Sequence, residues 1–182
     1  MDIGLAAPYA GTVWRFCSIH RDVLDPTGST VEGGRFNLPD VPTLYFCDIE
    51  ECSEAEYLKQ LSNARQWAFS NPPWSTGIGE TAARVFPPKI LYSVEITLDR
   101  VLDLTDANTR RELGVDIEIL AGQWDPCQAI GAAAFRAGIQ ATLSPSATNV
   151  GAVLAVYVDN LDQGTGFTEL REVREWAAVD LG

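Results

Sequence analysis

Hydrophobic and polar residues alternate most regularly over residues 89–99, KILYSVEITLD. Every second side chain of this segment is apolar, which predicts a strand with one buried face. That face carries Ile90, Tyr92, Val94, Ile96 and Leu98. Stretches rich in β-branched and aromatic residues predict further strands. They lie at residues 11–19, 43–47, 100–106, 139–147 and 151–161.

Helix-forming composition predicts a long helix over residues 48–70, with Tyr57, Leu58 and Leu61 on its apolar face. Two shorter helices follow. Residues 107–114 read as a helix closed by Gly114. The second short helix is predicted to have Asp125 as its N-cap, Pro126 at its first position and Gly138 as its stop.

The start of the long helix is open, because two segments match the capping-box pattern. With S-x-x-E at Ser53, Glu56 would be the third helical residue and would serve only the cap. With D-x-x-E at Asp48, Glu56 would lie inside the helix and be free for chemistry. Periodicity does not choose between the two.

The remaining segments have turn or mixed character. Asp-Pro, Gly-Ser and Gly-Gly pairs predict a turn over residues 25–34. Residues 71–80, NPPWSTGIGE, read as a long irregular loop of the kind that forms lids or partner surfaces. Residues 167–181 are ambiguous, since their alternation favours a strand and their composition a helix.

Strands and helices mix without a regular βαβ repeat, which predicts an α+β fold with a mainly antiparallel sheet. The alternative is a doubly wound α/β fold. Neither GxGxxG after a strand nor GxxxxGK[ST] occurs, so both common nucleotide-binding fingerprints are missing from the sequence. A length of 182 residues predicts one domain spanning residues 1–182.

Composition narrows the functional classes. The net charge of −12 argues against nucleic acid or anionic membranes as partners and is compatible with a basic protein partner or with solubility alone. Four cysteines without a CxxC pair, together with a single histidine, do not make a zinc site. The cysteines are expected to be buried free thiols. No basic leader or apolar span is recognisable, so a cytoplasmic protein without a metal is predicted.

Four polar or aromatic residues are candidates for chemistry, and each has an ordinary structural explanation as well. Arg35 follows two glycines, which would let its planar fork approach a phosphate or carboxylate, or would simply form a turn. Tyr45 offers a stacking ring or a core side chain. Glu56 offers a carboxylate or a helix cap. Ser146, in SPSA, offers a hydroxyl for a phosphate or ribose, or for its own turn.

The order and spacing of these residues resemble the RES domain family, which is named for its arginine, glutamate and serine. The matching segments run in family order from about Val13 to Val158. They are VWRF, GGRFN, PTLYFCDIEECSEAEYL, KILYSVEITLDRVLDLTD, CQAIGAAAFRAGIQATLSPSA and GAVLAVYV. One departure is Phe36, where the family usually has tryptophan.

The resemblance implies an ADP-ribosyltransferase-like fold and cleavage of the nicotinamide–ribose bond of NAD+. It maps the family arginine to Arg35, its tyrosine to Tyr45, its glutamate to Glu56 and its serine to Ser146; Arg15 matches an earlier family arginine. NAD+ would then be a substrate, with no separate cofactor and with inorganic phosphate as a possible co-substrate.

The chemistry of NAD+ suggests a role for each mapped residue. Glu56 would stabilise the oxocarbenium-like transition state or orient the nucleophile. Arg15 and Arg35 would clamp the pyrophosphate. Tyr45 would stack on the nicotinamide end, and Ser146 would donate to a phosphate.

The resemblance also implies a toxin whose cognate antitoxin blocks the active site. Independently of the resemblance, the 71–80 loop offers Trp74, which is a candidate anchor for such a partner if exposed and a core residue if buried. Phosphate, water and a protein side chain all fit as the acceptor. Protein ADP-ribosylation on the same scaffold is therefore the alternative activity.

Overall fold

The computed structural model describes residues 3–70, 85–122, 124–177 and 179–180. The strands in these ranges are β1 (Ala6–Ser18), β2 (Thr43–Cys47), β3 (Val85–Phe86), β4 (Lys89–Asp103), β5 (Ala141–Pro145), β6 (Ala152–Tyr157), β7 (Gly166–Trp176) and β8 (Val179–Asp180). The helices are α1 (Thr27–Glu32), α2 (Glu50–Ser70), α3 (Ala107–Leu113), α4 (Ile117–Gly122) and α5 (Trp124–Arg136). Short 3-10 turns occupy Ile3–Leu5 and Val158–Asn160.

The main sheet has the strand order β1-β2-β6-β5-β4-β7, and β1 also pairs along β4. A ring of five strands is therefore closed by β1, β2, β6, β5 and β4, and β7 pairs with β4 beside this ring. The β1–β2 link is a single register pair, Trp14 with Cys47. All pairs in this sheet are antiparallel except β4–β5. The α+β prediction is confirmed, and the doubly wound alternative is wrong.

Strand β6 explains how the ring is packed, because all of its side chains are buried. Leu154 and Val156 belong to the core enclosed by the ring. Ala155 and Tyr157 alternate with them and pack in a second core, against α5 and the segment around Phe36. The continuous apolar run in the sequence therefore reflects burial on both faces rather than a half-exposed strand.

The β4 prediction is right in type and wrong in extent. Residues 100–103 continue β4 instead of forming a separate strand. The continuation pairs in parallel with β5, at Val101 with Ala141 and Leu102 with Thr142. The ambiguous C-terminal tail forms β7 and β8; β7 is exposed along most of its length, which is why its pattern indicates no single buried face.

One predicted boundary and one predicted turn need correction. The 25–34 segment contains α1, because the Ser29 and Thr30 hydroxyls donate to the Pro26 carbonyl and stabilise a helical turn. Helix α5 begins at Trp124, so Asp125 lies in its first turn rather than at its N-cap. Gly138, with φ of 76°, lies just past its end as predicted.

Helices α3 and α4 differ in how well the sequence indicated them. Asp106 caps α3 by accepting from the Thr109 N–H, and Gly114 closes it in the left-handed conformation as predicted. Helix α4 was missed, since a helix of this length has too few residues to show a periodic pattern.

Helix α2 begins at Glu50, which settles the competing start signals. Ser53 lies inside the helix, with its N–H directed at the Ile49 carbonyl, so the capping box at Ser53 is wrong. Glu56 therefore lies within the helix. Of the predicted apolar face, Tyr57 and Leu61 are buried, but Leu58 is 50% exposed and does not belong to it.

Gly131 allows α5 to lie directly against the backbone of the Arg35 segment. A Cβ at this position would lie 1.8 Å from the Phe36 carbonyl oxygen. We expect Gly131→Ala to lower the free energy of unfolding by roughly 1–3 kcal/mol or more, because the helix must move away. Chemical denaturation monitored by circular dichroism measures the change. Gly11→Ala is the matched control, since a Cβ there has no heavy atom within 4 Å. Equal losses in both variants would contradict the packing argument.

Candidate active site

A cavity of about 540 Å³ opens between β1, β2, α2 and the glycine-rich segment. Arg15, Arg35, Tyr45 and Glu56 all line it. These residues come from four different elements or connections, and the fold brings them to one place. Ser146 does not reach the cavity wall itself; it lies behind Glu56 and is 2% exposed.

Each of the two positions before Arg35 requires glycine for a different structural reason. Gly33 has a φ of 74°, a backbone conformation that residues with a Cβ rarely adopt. A Cβ on Gly34 would lie 2.5 Å from the Tyr45 hydroxyl and 2.7 Å from Asn37 Oδ1. The first glycine turns the chain, and the second lets the loop lie against Tyr45.

The Tyr45 hydroxyl holds the Arg35 loop in place. It accepts from the Phe36 N–H at 2.8 Å and donates to Asn37 Oδ1 at 2.7 Å. Burial raises the pKa of Tyr45, so the phenol stays protonated and able to donate. Tyr45 is therefore both a ring in the cavity wall and a support for the loop. The sequence suggested the ring and missed the support.

Two further side chains fix the loop from the other side. Gln128 Nε2 donates to the Gly34 carbonyl at 2.9 Å, and the Tyr157 hydroxyl donates to the Phe36 carbonyl at 3.2 Å. Arg35 Nη2 donates to the Pro145 carbonyl at 3.4 Å, and its guanidinium lies 5.4 Å from the Phe36 ring centroid. Arg35 is thus held on a loop that is bonded on several sides.

Arg15 approaches the cavity from β1. Its Nη1 donates to the Val23 carbonyl at 2.8 Å, and its guanidinium lies 5.7 Å from the centroid of the Phe46 ring. Burial lowers the pKa of Arg15, yet an arginine starts so far above neutrality that it stays charged. One guanidinium nitrogen is committed to the protein, which fixes the direction of the rest of the fork.

Ser146 and Glu56 lie 90 positions apart in the chain and form a hydrogen bond. Ser146 Oγ donates to Glu56 Oε1 at 2.7 Å. The same hydroxyl is 2.6 Å from Thr148 Oγ1 and accepts from the Thr148 N–H at 3.1 Å. A buried hydroxyl with these partners fixes one carboxylate oxygen of Glu56.

Aromatic rings that were not predicted to belong to the site form part of the wall. Phe16 and Tyr57 stack with their centroids 4.7 Å apart, and both line the cavity. Trp176 packs edge-on against each of them. Trp124, 57% exposed, lies at the same cavity. The VWRF segment contained a signal for Phe16, but only the folded sheet places Trp176 against it.

Helix α2 presents a polar face to the cavity, which the sequence analysis also missed. Glu56, Lys59, Gln60 and Asn63 line the wall together. Their spacing of three, four and seven residues is that of one helix face, so the periodicity of polar residues was the available signal.

All four cysteines are buried and free, as expected. Cys47 lines the cavity, but a hydrogen bond with Cys52 and burial raise the pKa of its thiol. An uncharged thiol is a poor nucleophile, so Cys47 is not a reactive group of the site.

The described ranges contain no cluster of His, Cys, Asp and Glu side chains that would hold a metal ion. Within the same ranges, no helix is both long enough and apolar enough to cross a membrane. The predicted loop at residues 71–80, with Trp74, lies outside the described residues.

Comparison with known proteins decides the family. The sequence model of the RES domain matches residues 12–177. The chain belongs to the RES domain family. The match extends beyond the 13–158 segment indicated by the sequence motifs and takes in β7, which packs beside the cavity through Trp176.

Individual relatives agree with the family. The NAD(+) phosphorylases MbcT of Mycobacterium bovis and Mycobacterium tuberculosis are 31% identical over 151 residues, covering 82% of this chain and 74% of theirs. Among solved structures, the crystal structure of the M. tuberculosis MbcT–MbcA toxin–antitoxin complex matches with a TM-score of 0.66 at 24% identity. The match covers 94% of this chain and 93% of the other. This likeness shows that the RES member described here shares its fold.

The role of the Tyr45 hydroxyl can be tested separately from its ring. Tyr45→Phe keeps the ring but leaves the buried Phe36 N–H and the side-chain oxygen Oδ1 of Asn37 without this partner. We expect the free energy of unfolding to fall by about 1–3 kcal/mol. Tyr92→Phe serves as the comparison, since its hydroxyl makes only a 3.4 Å surface contact with Glu172. Urea denaturation of both variants gives the answer, and a Tyr45→Phe variant as stable as wild type would refute the supporting role.

Proposed function

We propose that this RES protein is an NAD+ phosphorylase that acts as the toxin of a toxin–antitoxin pair. The observation that carries the proposal is the cavity in which the loop residue Arg35, the partly buried strand residue Arg15 and the serine-bound Glu56 meet. Its support from relatives is the 31% identity to proteins named NAD(+) phosphorylase. The acidic chain would work in the cytoplasm, where its substrate and reduced cysteines are found.

The cleaved bond in this proposal joins ribose C1″ to the nicotinamide nitrogen. As this bond lengthens, its electron pair moves to the positively charged ring, and positive charge develops on the ribose. The Glu56 carboxylate stabilises that developing charge, or orients the acceptor through a hydrogen bond. This stabilisation requires that the Glu56 carboxylate has a fixed position, which the Ser146 hydroxyl provides by donating a hydrogen bond to Glu56 Oε1.

The two arginines suit the other end of the substrate. A pyrophosphate carries two negative charges, and planar guanidinium groups bind phosphate oxygens bidentately. Arg15 is partly buried and bonded to the Val23 carbonyl, and Arg35 is held on a bonded loop, so both charges are positioned before the substrate arrives. Preorganised cations lose less conformational entropy on binding than mobile ones.

The proposed role of Tyr45 is wider than the sequence predicted, and that of Ser146 is indirect. Tyr45 presents its ring to the cavity for stacking on the nicotinamide end, and its hydroxyl keeps Arg35 in position. Ser146 acts through Glu56, because its hydroxyl is 2% exposed and directed at the carboxylate. Direct donation from Ser146 to a phosphate stays a prediction.

The decisive experiment measures NAD+ loss by purified protein with and without inorganic phosphate and identifies the products. ADP-ribose 1″-phosphate indicates phosphorolysis, and free ADP-ribose indicates hydrolysis. Label from NAD+ appearing on protein would instead support ADP-ribosyl transfer on the same scaffold. No NAD+ loss under any of these conditions would reject the enzymatic proposal.

Glu56→Gln is expected to reduce NAD+ turnover by at least about a hundredfold, because the amide keeps the size but removes the charge. The fold should be retained, since Glu56 is not a helix cap. Glu51→Gln, on the exposed first turn of the same helix, removes one carboxylate away from the cavity and controls for general charge effects. Turnover and thermal unfolding are measured for both. Full activity in Glu56→Gln would show that the carboxylate takes no part in the reaction.

An enzyme that depletes NAD+ would harm its own host, so the proposal includes an antitoxin that covers the cavity. The fold is shared with a protein solved as a toxin–antitoxin complex. Trp124 is 57% exposed and lies at the cavity, and Val31, 69% exposed, follows the cavity-lining Ser29 on α1. Exposed aromatic and aliphatic side chains beside a site are suited to anchoring a partner. The net charge of −12 favours a basic one.

Trp124→Ala is therefore expected to weaken the complex with the product of the adjacent reading frame by at least about tenfold. NAD+ turnover by the free toxin tests whether the variant has also damaged the site. Ile117→Ala, at another exposed apolar residue, which does not line the cavity, serves as the control. Binding is measured by titration calorimetry. A complex that still consumes NAD+ at the rate of the free toxin would rule out blocking of the cavity. An affinity that Trp124→Ala leaves unchanged would rule out Trp124 as the anchor.

A further inference from the structure

Three consecutive residues, which are the last residue of β5 and the first two of the turn to β6, contact three charged side chains of the cavity. The Pro145 carbonyl accepts from Arg35 at 3.4 Å. The Ser146 hydroxyl donates to Glu56 at 2.7 Å. The Ala147 carbonyl accepts from Lys59 Nζ at 3.2 Å. Along this turn, the Glu56 contact therefore lies between the contacts of two cations.

Lys59 reaches this position because of its place on α2. It follows Glu56 by three residues, so both side chains lie on the face of the helix that lines the cavity. Its contact in the described part of the chain is a carbonyl oxygen, and no ion pair there involves it. A carbonyl leaves the ammonium charge uncompensated, and two of its three donors remain available.

The charges of the substrates require a cation beyond the arginines. NAD+ brings a pyrophosphate, for which Arg15 and Arg35 are the proposed partners. Inorganic phosphate is a second, multiply charged anion, and it must approach the ribose beside the Glu56 carboxylate. Two like charges at such short range repel each other, and a cation between them or beside them offsets this repulsion. Lys59 is the cavity-lining lysine on the same helix face as Glu56, and it is exposed to the solvent from which phosphate arrives.

We propose that Lys59 binds the inorganic phosphate that accepts the ADP-ribosyl group, and so determines that the acceptor is phosphate rather than water. The inference rests on the proposed function. A phosphate oxygen forms the new bond to ribose C1″ while the C1″–N bond breaks and its electron pair neutralises the nicotinamide ring. The acidic proton of hydrogenphosphate stays on the product phosphate or passes to solvent. Lys59 contributes charge and hydrogen bonds without exchanging a proton.

The test is steady-state kinetics of Lys59→Gln at constant ionic strength, with phosphate and NAD+ varied independently. We expect the KM for phosphate to rise by roughly ten- to a hundredfold, because a charge-assisted contact with an anion is lost. The KM for NAD+ should change much less, and the share of ADP-ribose in the product should rise. Lys59→Arg, which keeps the charge, should retain a KM for phosphate within about threefold of wild type. Arg65→Gln removes a charge from an exposed position on the same helix that does not line the cavity, and controls for net charge.

Several outcomes would overturn the assignment. An unchanged KM for phosphate in Lys59→Gln would do so, as would an equal rise in the KM for NAD+, which would place Lys59 on the dinucleotide. A Lys59→Arg variant as impaired as Lys59→Gln, with unchanged thermal stability, would also contradict a role for the charge. A wild-type enzyme that consumes NAD+ without any dependence on phosphate would reject the inference but keep NAD+ cleavage. A wild-type protein that leaves NAD+ intact would reject the proposed function itself.

Discussion

Burial of β6 on both faces is the constraint on which the rest of the structure depends. One set of its side chains fills the ring of strands, and the other packs outside it, so helices and loops must cover the outer face. Val153 packs with Cys47 and Cys52 beneath α2, whereas Tyr157 packs beneath the Phe36 segment and α5. The same strand therefore positions both the helix that carries Glu56 and the loop that carries Arg35.

The site lies where these two outer layers meet. Its rigidity comes from hydrogen bonds that cross between distant segments rather than from any single element. Tyr45 and Gln128 hold the Arg35 loop, and Ser146 holds Glu56. Because each of these bonds is at least partly buried, losing one leaves a polar group without solvent to replace the partner. Stability and the geometry of the charged groups are therefore coupled in this part of the molecule.

Local patterns were sufficient for most elements. Alternation identified β4, and the helical composition of α2 was recognisable although its start was ambiguous. Pairing could not be predicted in the same way. The continuation of β4 to Asp103 depends on β5, which begins at Ala141, and the turn at residues 25–34 became a helix through side-chain bonds to the Pro26 carbonyl.

The candidate site shows the same division. Arg35, Tyr45 and Glu56 were accessible from spacing and resemblance, because they are close together in the chain. The hydrogen bond of Ser146 with Glu56 and that of Lys59 with Ala147 could not be predicted in this way, since they join segments that lie 90 and 88 positions apart, respectively.

This separation has a consequence for the order in which the site is completed during synthesis of the chain. The ribosome synthesises Arg15, Arg35, Tyr45 and Glu56 first, and the turn that holds Glu56 follows Glu56 by 90 positions. A nascent or truncated chain without this turn thus lacks an assembled site, and a protein that attacks a central metabolite would remain harmless until the turn has been synthesised and has folded against Glu56.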